Sequence, residues 1–311
     1  MATVTTVTSN YAGKEAGAII GASFKEADTL RLGLLTVAQN VNYKLNLRRI
    51  RYTDGTVDYS CGFTPEGAIT LNERILEPKK LMNPIQVCKE DFRATWSEDA
   101  EGSSAHNDTL AGDIRDAIMA EVLADTAERT DNLIWVGDGS NAGEFDGLIT
   151  LWDADNDIIK ANDGIVPTGV AITESNVEAE LKKVLNAVPV RLRRKNLVVA
   201  VASNVFQAYT FYLVSKGIAN DGNGEEKQAR FGKYTLTEVN GMPDNTIAVF
   251  ETKNVLFGTG LLADHNELRM VDEDEIGLLT GMVRGKMVYN AGVQYYNSED
   301  IVYYLSTTTP A

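Results

Sequence analysis

Several short stretches carry residue types that could do chemistry. Asp153-Ala-Asp-Asn-Asp157 opens like a calcium loop, in which alternating carboxylates would ligate a hard cation. The pattern then fails, because Ile158 stands at the sixth position where a Gly is needed and Gly164 at the twelfth where a Glu is needed. A solvated acidic turn is expected there. Gly137-Asp-Gly139 looks like a fragment of a phosphate-cradling loop, but no GxGxxG or GxxxxGK[ST] can be read and no Lys follows, so a turn after a helix is the better reading. The two histidines, His106 and His265, leave few places for a nucleophile–base–acid relay. The acidic runs Glu98–Glu101 and Asp272–Glu275 are expected to be solvated faces. Cys61 and Cys88 are too few for a disulfide framework and lack metal-ligand spacing, so free thiols are expected. No cofactor or metal is expected. The basic residues Arg48, Arg49 and Arg51 and the run Arg191-Leu-Arg-Arg-Lys195 could touch nucleic acid, but complementing the carboxylates of another copy suits an acidic chain better.

The elements that would position these residues follow from length, charge and periodicity. The 311 residues are 44% hydrophobic, enough to bury a sizeable core in one large or two interlocked domains. The net charge of −15 argues against a protein that grips phosphates along its whole surface. A container wall can be acidic, since packed nucleic acid need not stick to it. No segment approaches the ~20 apolar residues of a membrane span. The amino terminus lacks the basic and apolar regions of a signal peptide, so cytoplasmic synthesis is expected.

Residues 1 to about 25, rich in Thr, Ala, Gly and Ser, are expected to form an extended arm. Leu30, Leu34, Val37 and Val41 fall at helical spacing and predict a helix from Asp28. The period then becomes two, and Asp54-Gly55 between alternating runs predicts a two-residue hairpin turn. Ile69–Ile75 alternates again, so residues 46–96 are expected to form a long two-stranded excursion with too little apolar surplus to be stable alone. Leu110, Ile114, Ile118 and Val122 predict a rod-like helix from Asp108 to about Ile134, ended by Gly-punctuated turns at 137–139 and 145–149. Ser175 and Glu178 suggest a capping box for a helix ending at Val188 before Pro189. A buried strand at Leu197–Val201, a short helix from Ser203 or Asn204 to Lys216-Gly217 and a polar loop at 218–232 come next. Strands are predicted at 247–250, 255–257, 268–271, 282–293 and 301–305.

This order of arm, extended hairpin, long helix with a Gly-Asp-Gly turn, second helix and returning strands resembles the tailed-phage major capsid proteins of the Hong Kong 97 fold family. The resemblance covers essentially the whole chain and rests on element order and turns, with no single specific motif. It implies an α+β, Hong Kong 97-type capsid fold with an N-terminal arm (1–45), an extended β-hairpin loop and peripheral-domain strand (46–96), a peripheral domain with the spine helix (97–189), an apical domain (190–272) and returning strands (273–311). It also implies self-assembly into hexamers and pentamers of an icosahedral head around double-stranded DNA bound without sequence specificity, with portal, scaffolding or decoration proteins as partners and no membrane. Inter-subunit contacts are expected at Arg49, Arg51, Asp54, Gly55, Tyr59, Phe63, Arg191, Arg193 and Arg194. The sequence shows no leader of about 100 residues, so either a processed chain or a separate scaffolding protein is expected. Some relatives self-link through a Lys and an Asn with a nearby Glu; Lys79 and Lys80 lie on the returning limb, but the trio cannot be placed. An encapsulin-like nanocompartment shell shares the fold and is the nearest alternative; an acidic hydrolase or a monomeric adhesin is a more distant one.

Overall fold

The computed structural model describes residues 28–41, 43–53, 55–59, 61–62, 66–88, 112–161, 171–217, 229–260, 269–274 and 280–306. The elements are α1 (Asp28–Arg31), β1 (Thr36–Ala38), β2 (Leu45–Thr53), β3 (Ala68–Leu76), β4 (Lys79–Cys88), α2 (Gly112–Val136), α3 (Leu148–Ala154), β5 (Ile159–Lys160), α4 (Val177–Ala187), β6 (Val198–Ala202) and α5 (Ser203–Ser215). They continue with β7 (Ala229–Phe231), β8 (Tyr234–Val239), β9 (Thr246–Phe250), β10 (Val255–Thr259), β11 (Arg269–Asp272), β12 (Met282–Tyr295) and β13 (Val302–Leu305).

β12 is the hub of the first sheet because its 14 residues alternate, sending Val283, Met287, Tyr289, Ala291, Val293 and Tyr295 to the core. β10 pairs along its carboxy-terminal half, β11 along its amino-terminal half, and β4 from Lys79 to Asn83 and again at Cys88. Pro84, with no N–H to donate, falls in the interruption. The second sheet runs β5-β13-β9-β6-β8-β7. Its central strands β6 and β9 are near-continuous apolar runs, as burial on both faces demands, and α4 and α5 pack on it. Trp135 at the end of α2, Trp152 on α3, Phe250 on β9 and Tyr303 on β13 form one fully buried aromatic cluster with ring centroids 5.6–6.3 Å apart, joining the long helix to this sheet.

The predicted helix over 28–41 is corrected. α1 stops after one turn because Gly33 takes φ +64 and donates back to Leu30, and Thr36–Ala38 pairs with β10 instead. The capping box is also absent: Ser175 bonds Thr173, while Glu178 accepts from Tyr212 and Lys182. α3 and β8 were not foreseen, and β7 lies inside the predicted 218–232 loop. The long helix runs 25 residues, about 37 Å at ~1.5 Å per residue, to the Gly-Asp-Gly turn; the expected cap at Asp108 lies outside the described residues.

That turn is a close crossing of two backbones. Gly147 N–H donates to Gly137 O at 2.8 Å, and a Cβ on Gly137 would lie 2.2 Å from Phe145 O. Upstream on α2, the buried Asp131 carboxylate accepts from Thr29 N–H at 2.9 Å and Gly241 N–H at 3.1 Å, tying α1 and the β8–β9 turn to the helix. Burial pushes this carboxyl above its ordinary range, against the hydrogen bonds from Thr29 and Gly241.

The two-stranded excursion is shorter than predicted: β4 belongs to the first sheet, and the ribbon consists of β2 and β3, paired from Leu45↔Leu76 to Thr53↔Ala68. Asp54-Gly55 is therefore no two-residue turn. Gly55 instead meets the backbone of Gly67, 2.1 Å from where its Cβ would be, at the neck of the loop spanning 54–67. The ribbon's base is gripped by Leu47, Leu76 and Leu256. Beside them the Arg74 guanidinium, 4.2 Å from the Tyr295 ring centroid, pairs with Asp155 at 2.5 Å, and Tyr295 OH donates to Asp155 at 2.8 Å. Burial pushes the Tyr295 phenol well up, reinforced by its bond to Asp155. At Asp155 burial is outweighed by hydrogen bonds from Asp157 N–H, Tyr295 and Arg74, so its carboxyl is held below the usual range.

Two outcomes follow from these contacts. Gly147→Ala puts a Cβ 2.6 Å from Gly137 N and should cost roughly 1–3 kcal/mol in urea unfolding. Asp155, with its lowered folded pKa, stabilises the fold above the unfolded value of ~3.9, and the contribution is lost as pH falls through the folded pKa. Asp155→Asn should therefore lower stability by about 1–2 kcal/mol at neutral pH, with the gap to the wild type closing as acid protonates the folded-state carboxyl, in the same unfolding assay.

Candidate assembly interface

The ribbon carries two chemically different faces because antiparallel partners share a side and successive residues alternate. Leu47, Arg49, Arg51 and Arg74 lie on the face turned to the chain's own body. Arg48, Ile50 and Tyr52, opposite Glu73, Leu71 and Ile69, lie on the other. On that outward face Ile50 is 73% exposed, Tyr52 63%, Ile69 75% and Leu71 60%, with Ile75 also exposed nearer the base. Four adjacent large apolar side chains held in water on a bare two-stranded sheet form a patch of the kind that marks an interaction site.

The inward face is bound by charge. Arg49 donates to Asn297 and Arg51 to Glu299, and the Arg49 guanidinium lies 3.9 Å from Glu299. From the loop after α4, Arg191 reaches Asp300 at 2.8 Å, Glu299 Oε2 at 3.3 Å and the Glu299 carbonyl at 2.9 Å. Three arginines thus converge on one acidic turn, Ser298–Asp300, which Asn297 caps by accepting from Glu299 N–H. Isolated exposed pairs are worth only ~0.2–1 kcal/mol, but a network on a common carboxylate orders several segments at once.

The expected contact residues are therefore distributed as follows. Arg49, Arg51 and Arg191 come together on carboxylates of their own chain. Gly55 sits at the loop neck, Tyr59 is 94% exposed, and Asp54 and Phe63 lie outside the described residues. Arg193 donates to the carbonyls of Val188 and Asn186 at the end of α4, and Arg194 is exposed. Glu299, Asp300 and the outward residues Ile50, Tyr52, Ile69 and Leu71 were missed. The apolar set had a readable signal, alternation at spacing two opposite arginines; Glu299, 248 residues from Arg51, had none.

The stretches weighed for chemistry are engaged elsewhere. Asp153 accepts from Tyr303 OH, whose phenol is pushed up by burial and by that bond, and Asp155 is held by Arg74 and Tyr295. Glu273 pairs with Arg284 at 3.0 Å, and Asp274 accepts from Gly281 N–H. His106, His265 and Glu98–Glu101 lie outside the described residues. Among the described residues no group of three or more His, Cys, Asp or Glu could hold a metal ion, and no helix is long and apolar enough to cross a membrane. Cys61 and Cys88 are free. Lys79 donates to the carbonyls of Gly139 at 3.0 Å and Asn141 at 3.2 Å, which occupies one amine considered for self-linking.

No protein-family model and no curated protein matches this sequence. Solved structures do. The chain is similar to the capsid of the native GTA particle, with a TM-score of 0.60 at 12% identity over 89% of this chain and 90% of that one. It is similar to the structure of Gordonia phage Cozz, with a TM-score of 0.55 at 12% identity over 91% and 87%. The virus-like particle from Pyrococcus furiosus aligns with a TM-score of 0.52 at 11% identity over 94% and 98%. At such identity the likeness is one of shape: the chain has the α+β, Hong Kong 97-type capsid fold.

Proposed function

We propose that this chain is a major capsid subunit, a structural protein that builds an icosahedral phage head by binding copies of itself and catalyses no reaction. The observation that carries this reading is the β2–β3 ribbon, whose outward apolar face is exposed and finds no partner among the described residues. Full burial of side chains such as Ile, Leu and Tyr is worth roughly 1.5–3 kcal/mol each, so covering Ile50, Tyr52, Ile69 and Leu71 with a neighbour supplies several kcal/mol per contact. Every subunit gives one ribbon and receives another, and closure makes modest contacts cooperative. Hexamers and pentamers are the expected intermediates, formed in the host cytoplasm and ending in the virion. Double-stranded DNA is enclosed without sequence-specific binding, and portal, scaffolding or decoration proteins complete the head. In this reading the inter-subunit residues include Tyr59 at the ribbon's end as well as Arg193 and Arg194 beyond α4.

Size-exclusion chromatography and negative-stain microscopy of the purified chain test the proposal: closed shells support it, and a compact monomer at high concentration overturns it. Shells holding an enzyme cargo instead of a genome would point to a nanocompartment. Leu71→Asp, a surface change within about 0.5 kcal/mol of wild-type stability, should leave a folded subunit that forms no shells. Replacing residues 54–67 by Asn-Gly, which suits the Thr53↔Ala68 register, should likewise keep the fold and stop closure. Normal particles from both variants would remove the ribbon from the mechanism.

A further inference from the structure

We infer that Glu299 is a charged stay that fixes the pitch of the β2–β3 ribbon, and that the stay is salt-labile. Among the described residues the ribbon's apolar grip lies at its base, at Leu47, Leu76 and Leu256. Arg51 lies four residues farther out, about 14 Å at ~3.4 Å per residue, where the described contacts on the inward face are polar. The ribbon is thus a lever with an apolar pivot at its foot and a charged tether along its length. Glu299 anchors that tether to the body. Its short turn is tied back by Arg191 through four hydrogen bonds, by the Asn297 cap, and by Asn254, which exchanges two hydrogen bonds with Asn297. The side chains of Arg51 and Arg191 are about half exposed, so dissolved ions reach the tether, whereas the pivot is buried. Screening at about 1 M salt, where the Debye length is ~3 Å, weakens the tether and leaves the pivot intact. The lever then swings while the body keeps its fold.

The inference concerns the single chain; only the purpose of the pose, presenting the outward apolar face to another copy, rests on the function proposed above. Its test is a distance measurement on unassembled protein, so it stands or falls separately from shell formation. Nitroxides are placed at Thr53→Cys on the ribbon and Gln207→Cys on α5, in a Cys61→Ser, Cys88→Ser background, at a concentration where light scattering shows no particles. Double electron–electron resonance should give one narrow distance distribution at low salt. Glu299→Gln, or about 1 M NaCl with Glu299 intact, should widen it about twofold. Arg48→Gln, which breaks only the pair with Glu73 on the outward face, should leave it unchanged. An unchanged distribution in Glu299→Gln overturns the inference, as does equal widening in Arg48→Gln. Should Glu299→Gln fail to fold by circular dichroism, an unchanged distribution in high salt overturns it instead.

Discussion

A two-stranded ribbon has two faces and, in a single chain, one body to lean on. That constraint organises this molecule. Arg49, Arg51 and Arg74 on one face are satisfied by Asn297, Glu299 and Asp155, while Ile50, Tyr52, Ile69 and Leu71 on the other remain in water. A free-standing hairpin of nine paired positions is marginal, so its base must be gripped, and in the proposed assembly its outer face is covered by another copy. The asymmetry also has a logic in specificity. Charges turned inward set direction, whereas in the proposed assembly the apolar side chains turned outward supply the attraction that a net charge of −15 opposes between copies.

The body is built to hold that base still. β12 runs through the first sheet and ends in Tyr295 against Arg74, and the aromatic cluster of Trp135, Trp152, Phe250 and Tyr303 ties the long helix to the second sheet. The backbone crossing at Gly137 and Gly147 lets α3 start directly beneath the end of α2. α3 then delivers Asp153 to Tyr303 and Asp155 to Tyr295 and Arg74. What looked in isolation like the start of a cation loop is a pair of carboxylates spent on two buried tyrosines and an arginine.

Much of the fold was legible because it follows from local periodicity. The alternation in Met282–Val293, the apolar runs at Leu197–Val201 and Ile247–Phe250, and the four-residue recurrence from Ile114 to Ile134 each specify one kind of element whatever their neighbours do. Where local signals competed with long-range pairing, the pairing won. Thr36–Ala38 joined β10 against its helical spacing, and the Asp54-Gly55 turn signal yielded to a ladder whose register seats Leu47 and Leu76 on Leu256.

The sequence by itself determined the element order, the long helix with its Gly-Asp-Gly end, the presence of a two-stranded excursion and the acidic balance, since each depends on residue types within one or two turns of chain. Only the tertiary structure decided which face of the excursion points outward and where its arginines land. Arg51 and Glu299 stand 248 residues apart, and nothing short of folding brings them together. Facing is set by register, and register is set by which few apolar side chains the body can bury.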